Sequence, residues 1–251
     1  MTSSDRADSV VDRIDPDTDR VIATLHRPGA LTGIAVGSHR VWVAQPRHGA
    51  GRLIVINPRT DRDAGRPIKV GPGPGQVIYA LRHIWVQNTS PASITRVNIH
   101  GGHGTTVIDA AIPTSSAPAP VAIAGGDHSL WSLANGSLNR IDPAGVTHRS
   151  ARLPRGVAIA LGDRSVWVLS YPRSRSAALF EPIPATATLS QINPHNGRPK
   201  ARPAALGMLQ PIDIVFIHHA IWIADYHTST VTRIDLSCRR KRSSQAITTK
   251  W

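Results

Sequence analysis

Apolar residues in this chain fall in short runs, and no stretch sustains the 3.6-residue spacing of a helix. Five of the runs centre on tryptophan: Val41-Trp42-Val43-Ala44, Ile84-Trp85-Val86, Leu130-Trp131-Ser132, Val166-Trp167-Val168 and Ile221-Trp222-Ile223-Ala224. Each is apolar on both sides of the strand alternation, so each predicts a strand covered on both faces. Before the tryptophans come runs such as Gly33–Gly37, Pro120–Gly125 and Gly156–Gly162. After them come Ile56-Asn57-Pro58, Ile141-Asp142-Pro143 and Ile192-Asn193-Pro194, with weaker copies at Val97-Asn98-Ile99 and Ile234-Asp235-Leu236. A further copy, Ile14-Asp15-Pro16, precedes the first tryptophan. Proline lacks an N–H and the Asn or Asp side chain bonds the following backbone, so this step ends a strand and starts a turn.

Three motifs repeated in fixed order define a unit of roughly forty-five residues. The tryptophans recur at gaps of 43, 46, 36 and 55 residues. The pattern predicts an all-β chain, a β-propeller of four-stranded antiparallel blades with about five to six blades, for which radial repetition solves the edge-strand problem. The expected boundaries are a disordered N-terminus at 1–10, the propeller at 11–236 and a disordered basic tail at 237–251. With the Gly33–Gly37 strand innermost, the chain opens on two outer strands, such as Val21–Leu25. It continues through four complete blades and ends on three inner strands, Ile212–Ile217, Ala220–Ala224 and Thr230–Asp235. That count implies a fragment or shortened array; the alternative is a compact five-bladed ring with a surplus C-terminal strand.

The unit resembles the repeats of the YVTN and streptogramin-lyase-like propellers, which run from an apolar strand through a Gly turn to a VWV-type strand, an IDP-type turn and an outer strand. The resemblance covers residues 11 to about 236. It implies kinship with secreted propellers and with actinobacterial sensor-kinase propellers. It also raises metal-dependent lyase chemistry, in which a histidine and a carboxylate with a divalent metal break an ester by elimination. This chain departs from that pattern: its lone glutamate, Glu181, lies in an insertion, and its tryptophan strands lack a Trp-Phe-Thr-Glu sequence.

Composition adds limits. The single cysteine, Cys238, excludes an intramolecular disulfide and a cysteine-based metal site. The first twenty residues contain no apolar signal-peptide core, and no run is long enough for a transmembrane helix. The expected compartment is therefore the cytoplasm if the start is genuine, and the exterior if the N-terminus is truncated. The net charge of +13 is spread thinly, with 25 arginines against four lysines. It reads as a solvated surface, and the cluster Arg239-Arg240-Lys241-Arg242 as a solvated tail. Nucleic acid is not an expected partner, no cofactor or metal is expected, and the chain is expected to be a monomer.

Candidate chemistry belongs to the loops after the tryptophan strands. The expected binding face comprises Arg47, His48, Asn88, Asn135, Tyr171, Arg173, Arg175, Tyr226 and His227, beside Gln45 and Asp225. The longest such loop, Ser170–Thr186, carries Arg173, Arg175, Phe180 and Glu181, and insertions of this length are commonly functional or unstructured. His227 with Asp225 is the nearest approach to a catalytic histidine–carboxylate pair. His100-Gly101-Gly102-His103 and His218-His219 read as turns, and Gly71–Gly75 as a connection between blades rather than a phosphate loop. The tryptophans read as packing. The preferred expectation is a non-catalytic propeller recognising a protein or small molecule, with a streptogramin-lyase-like enzyme or an inert fragment of a larger propeller as alternatives.

Overall fold

A computed structural model describes residues 8–47, 49–89, 92–99, 107–110, 122–126, 129–134, 136–142, 146–153, 156–171, 186–208, 210–236 and 247–250. Every regular element among them is a strand. The chain divides into two compact units, 1–119 and 120–251.

In the first unit, β1 (Asp8–Asp15) and β2 (Arg20–Pro28) form a two-stranded antiparallel sheet. The second sheet orders β3 (Gly33–Gly37), β4 (Arg40–Arg47), β5 (Ala50–Asn57) and β6 (Arg62–Asp63), with β7 (Ile68–Val70) also pairing β5. The third orders β8 (Pro74–Ala80), β9 (His83–Thr89), β10 (Ala92–Asn98) and β11 (Val107–Ala110). The tryptophan strand β4 is covered on both faces, as its apolar alternation requires. On one side Val43, Ile54 and Ile56 pack with Leu25 of β2 and Val11 of β1. On the other, Trp42 and Val55 pack with Val77, Ile84 and Val86 of the third sheet. Arg13–Asp61 and Arg27–Asp63 ion pairs also tie the two-stranded sheet to the β5–β6 turn. The two-stranded sheet leaves the innermost strand bare: Ile34 and Val36 of β3 are 56% and 73% exposed.

The second unit holds three four-stranded sheets. The first is β12 (Ala122–Gly125), β13 (Leu130–Ala134), β14 (Ser137–Ile141) and β15 (Thr147–Arg152). Next come β16 (Gly156–Gly162), β17 (Ser165–Ser170), β18 (Thr188–Ile192) and β19 (Ala204–Ala205). The last is β20 (Pro211–Ile217), β21 (Ala220–Asp225), β22 (Thr230–Asp235) and β23 (Ile247–Lys250). Trp131 and Leu133 pack against Ile159, Val166 and Val168 of the β16–β19 sheet. Trp167 and Leu169 in turn pack against Ile214, Ile221 and Ile223 of the β20–β23 sheet. Trp42, Trp131 and Trp167 thus each face the sheet that follows their own.

The hairpins between first and second strands explain how the units keep register. Ser38-His39, Leu81-Arg82, Asp163-Arg164 and His218-His219 all place two consecutive residues at positive φ. That is the two-residue turn whose twist matches its flanking strands. Just beyond the turn, Trp42, Trp85 and Trp167 each donate Nε1–H to the carbonyl oxygen five residues back, on Gly37, Ala80 and Gly162, at 2.9, 2.9 and 3.1 Å. A buried indole N–H needs such an acceptor, so the tryptophan both fills the core and clamps its own hairpin. Trp131, whose hairpin loop is longer, uses Ser129 Oγ at 2.9 Å instead.

Two boundaries differ from the sequence expectation. The first described strand begins at Asp8, ahead of position 11, because Asp8–Val10 continue the ladder with β2. Residues 247–250, expected in an unstructured tail, pair with β22 as a fourth strand, and the β-branched Ile247, Thr248 and Thr249 suit a strand. Residues 1–7, 237–246 and 251 lie outside the described residues. The Gly71–Gly75 segment joins two sheets as expected, with Pro74 and Gly75 already part of β8.

Candidate functional site

The residue three after each motif tryptophan lies at or within two residues of the end of its strand, and it is polar in four of five sheets: Gln45, Asn88, Ser170 and Asp225, with Ala134 in the remaining one. All five are buried. Sequence reasoning places Gln45, Asn88 and Asp225 on a ligand-facing loop; the structure places them inside the sheet ends. The reason is register. Each stands opposite a residue on the third strand, giving the cross-strand pairs Gln45–Arg52, Asn88–Ser93, Ala134–Ser137, Ser170–Thr188 and Asp225–Thr230. A buried polar group there must find its partners within the protein.

In the first unit Gln45 Nε2 donates to Pro28 O at 2.7 Å, and its Oε1 accepts from Arg52 Nε at 2.7 Å. Burial, and then the neighbouring Arg47 charge, lowers the pKa of the Arg52 guanidinium, while Asp63 opposes the shift. Asn88 Nδ2 donates to Ser93 Oγ and Thr95 Oγ1 at 3.0 and 2.8 Å. The amide lies so close to Gly71 that a Cβ at that glycine would meet it at about van der Waals overlap, 2.6 Å from Asn88 Cγ. Asn88 is therefore a brace between β9, β10 and the Gly71 connection. Arg47 alone of the described first-unit candidates is exposed, at the end of β4.

In the second unit Asp225 is 4% exposed. Its Oδ1 accepts from the backbone N–H of Thr228 at 3.1 Å and its Oδ2 from that of Gln210 at 3.3 Å. One carboxylate thus closes the β21–β22 turn and fastens it to the segment entering β20. Tyr171 Oη donates to Pro211 O at 2.7 Å, bridging the β16–β19 and β20–β23 sheets at the same end. Burial, and secondarily the charge of Asp225, raises the Tyr171 pKa. Next to this framework, Tyr226 is 72% exposed and His227 is exposed with it. The structure therefore brings Tyr171, Asp225, Tyr226 and His227 to one end of the unit, with Asp225 committed to backbone. His48, Asn135, Arg173, Arg175, Phe180, Glu181, His100 and His103 lie outside the described residues. His218-His219 forms an exposed turn between β20 and β21. Among the described residues, no three His, Cys, Asp or Glu side chains gather closely enough to hold a metal ion.

Sequence reasoning missed one concave feature. A cavity of about 490 Å³ is lined by His39, Arg40, Asn57, Pro58 and Arg59, at the end of β4 opposite to Arg47. Its sequence signal was present as a basic residue pair at a hairpin turn facing an Asn-Pro-Arg turn.

No family profile and no curated protein matches the chain. Solved structures do. It is similar to hydrazine synthase of Kuenenia stuttgartiensis, with a TM-score of 0.69, 14% identity and coverage of 90% of this chain and 70% of that one. The fold is a β-propeller. The propeller is also similar to a chain of the nidogen/laminin complex, with a TM-score of 0.58, 13% identity and coverage of 95% and 88%. A third similar structure is the PQQ-bound aldose sugar dehydrogenase of Streptomyces coelicolor, with a TM-score of 0.53, 14% identity and coverage of 96% and 85%. At these identities the likeness fixes the architecture alone, because propellers carry unrelated functions on one scaffold. The YVTN-like resemblance is thus upheld at the level of a propeller fold.

Among the described residues no helix is long and apolar enough to cross a membrane.

Proposed function

We propose that this propeller is a non-catalytic recognition module that meets a protein partner through the exposed end of its second unit, around Tyr226 and His227. The observation that carries this reading is the state of Asp225. A general base needs a carboxylate or imidazole within reach of substrate. Both oxygens of Asp225 are instead occupied by backbone N–H groups, and the side chain is buried. What the framework leaves outward is a tyrosine ring beside an imidazole on an exposed turn, and tyrosine is among the residue types that dominate protein-interface hot spots. Arg47 offers a comparable outward group in the first unit.

The test is site-specific photo-cross-linking in cells that make the protein. A photoreactive phenylalanine at position 226 should give a discrete adduct with one partner, and one at exposed Val146 should not. Equal adducts at both positions, or none at 226, would reject the reading. The lyase alternative makes a separate demand: turnover of an ester by the purified protein that His227→Ala abolishes.

A further inference from the structure

The cavity between the His39-Arg40 turn and the Asn57-Pro58-Arg59 turn has two arginines and a histidine among its five lining residues, and no Asp or Glu among the described residues that line it. We infer that it is a binding site for a small anionic ligand bearing phosphate or carboxylate groups. It lies in the first unit, at the end of β4 opposite to Arg47, and is independent of the recognition reading.

The local chemistry leaves the positive charges unspent. The one acid of the neighbouring turn, Asp61, is engaged by Arg13 at 3.4 Å. Arg13 also donates to Pro58 O at 2.9 Å, which steadies the wall from outside. Asn57 Oδ1 accepts the Arg59 backbone N–H at 2.9 Å, so the turn presenting Arg59 is fixed by its own side chain. Arg40 spends Nη1 on His39 O at 3.0 Å, which orients the guanidinium and leaves its other N–H groups for a ligand. Arginine pairs of this kind recognise planar or tetrahedral oxyanions through parallel N–H donors. A volume of about 490 Å³ fits a metabolite-sized ligand rather than a lone ion.

Comparison with two sister sheets sets this one apart from them. Arg40 stands one step beyond the Val41–Ile56 pair, facing Asn57. The corresponding pairs are His83 with Asn98 in the third sheet and Ala220 with Asp235 in the last. Asp235 there is taken by Arg233 at 2.6 Å. Of these three, only the β3–β7 sheet sets an arginine against a neutral partner and adds a second arginine from the turn. Burial of the β4–β5 core does not require either guanidinium, since Arg59 is exposed and Arg40 only half-buried.

The experiment is calorimetric titration of the full chain with pyrophosphate and, separately, with citrate at low salt. The inference expects saturable binding of at least one of them at a single site. Pyrophosphate alone indicates a phosphorylated ligand, citrate alone a polycarboxylate. The pair Arg40→Ala and Arg59→Ala should weaken that binding at least tenfold. The charge-matched pair Arg20→Ala and Arg66→Ala, at exposed positions of the same unit, should leave it within twofold. A thermal unfolding midpoint equal to the parent shows that the variant folds, and Arg59→Gln alone replaces the pair if it does not. Absence of saturable binding by both anions, or equal losses in the two pairs, overturns the inference.

Discussion

The ring of Phe216 fills the space that a side chain at Gly162 would need, so close that a Cβ there would overlap the ring carbons. Tyr79 stands in the same relation to Gly37 in the first unit. In both cases a glycine ends one innermost strand and an aromatic from the next innermost strand lies against it. The contact sets how closely consecutive sheets approach where they are most crowded.

Gly162→Ala should therefore destabilise by overpacking, by about 1–3 kcal/mol. That lowers the melting temperature by several degrees. Phe216→Leu, which shortens the side chain, should recover much of the loss when combined with it. A double-mutant cycle by urea unfolding measures the coupling.

The tryptophans should not be equivalent. Trp131 is fully buried, and Trp131→Ala should cost about 3–5 kcal/mol. Trp222 is only half-buried, with Arg233 5.6 Å over its ring. Trp222→Ala should cost about half as much or less, and Trp222 should be the described indole most accessible to acrylamide quenching.

Asp225 should act through structure. Asp225→Ala strands two backbone N–H groups and should cost about 1–3 kcal/mol, with Asp225→Asn milder because its amide oxygen still accepts. The raised Tyr171 pKa gives an alkaline signature. The folded state holds the phenol neutral, so its contribution is complete below the unfolded-state value near 10 and is lost as pH rises through the folded-state value. Urea unfolding at about pH 8 and about pH 11 should show a steeper alkaline loss for the parent than for Tyr171→Phe. Asp225→Asn should reduce the Tyr171 shift without removing it, since burial is the larger cause.

Much of the fold was legible because each strand announces itself. The tryptophan runs and the Ile-Asn/Asp-Pro steps mark strand centres and ends, and β1, β5, β14 and β18 stop at or beside those steps. The site was less legible. Asn88 and Asp225 are polar and precede turns, which reads as surface. Only cross-strand register shows that position three after tryptophan still belongs to the ladder, where Ser93 and Thr230 face it. The Arg40–Arg59 cavity was hidden for a related reason: it joins turns 17 residues apart, which meet only once β4 and β5 are paired.

Leu81-Arg82 is the hairpin turn least suited to its conformation, with φ of 52° and 60° on a branched and a long side chain. Asn and Gly favour this turn, since neither pays the full steric cost of positive φ. Replacing the pair by Asn-Gly should stabilise the protein by about 1 kcal/mol. A melting-temperature rise of about 2–4 °C checks it.

Native-state hydrogen exchange tests the stacked-sheet architecture most directly, because burial of a strand on both faces protects its amides. Amides of Val43, Trp85, Leu133, Val168 and Ile223 should exchange as the slowest class, each about a thousandfold or more slower than those of the exposed turns Asp17–Asp19 and Tyr226–Ser229. Exchange of these second-strand amides at rates matching the turns would contradict that architecture.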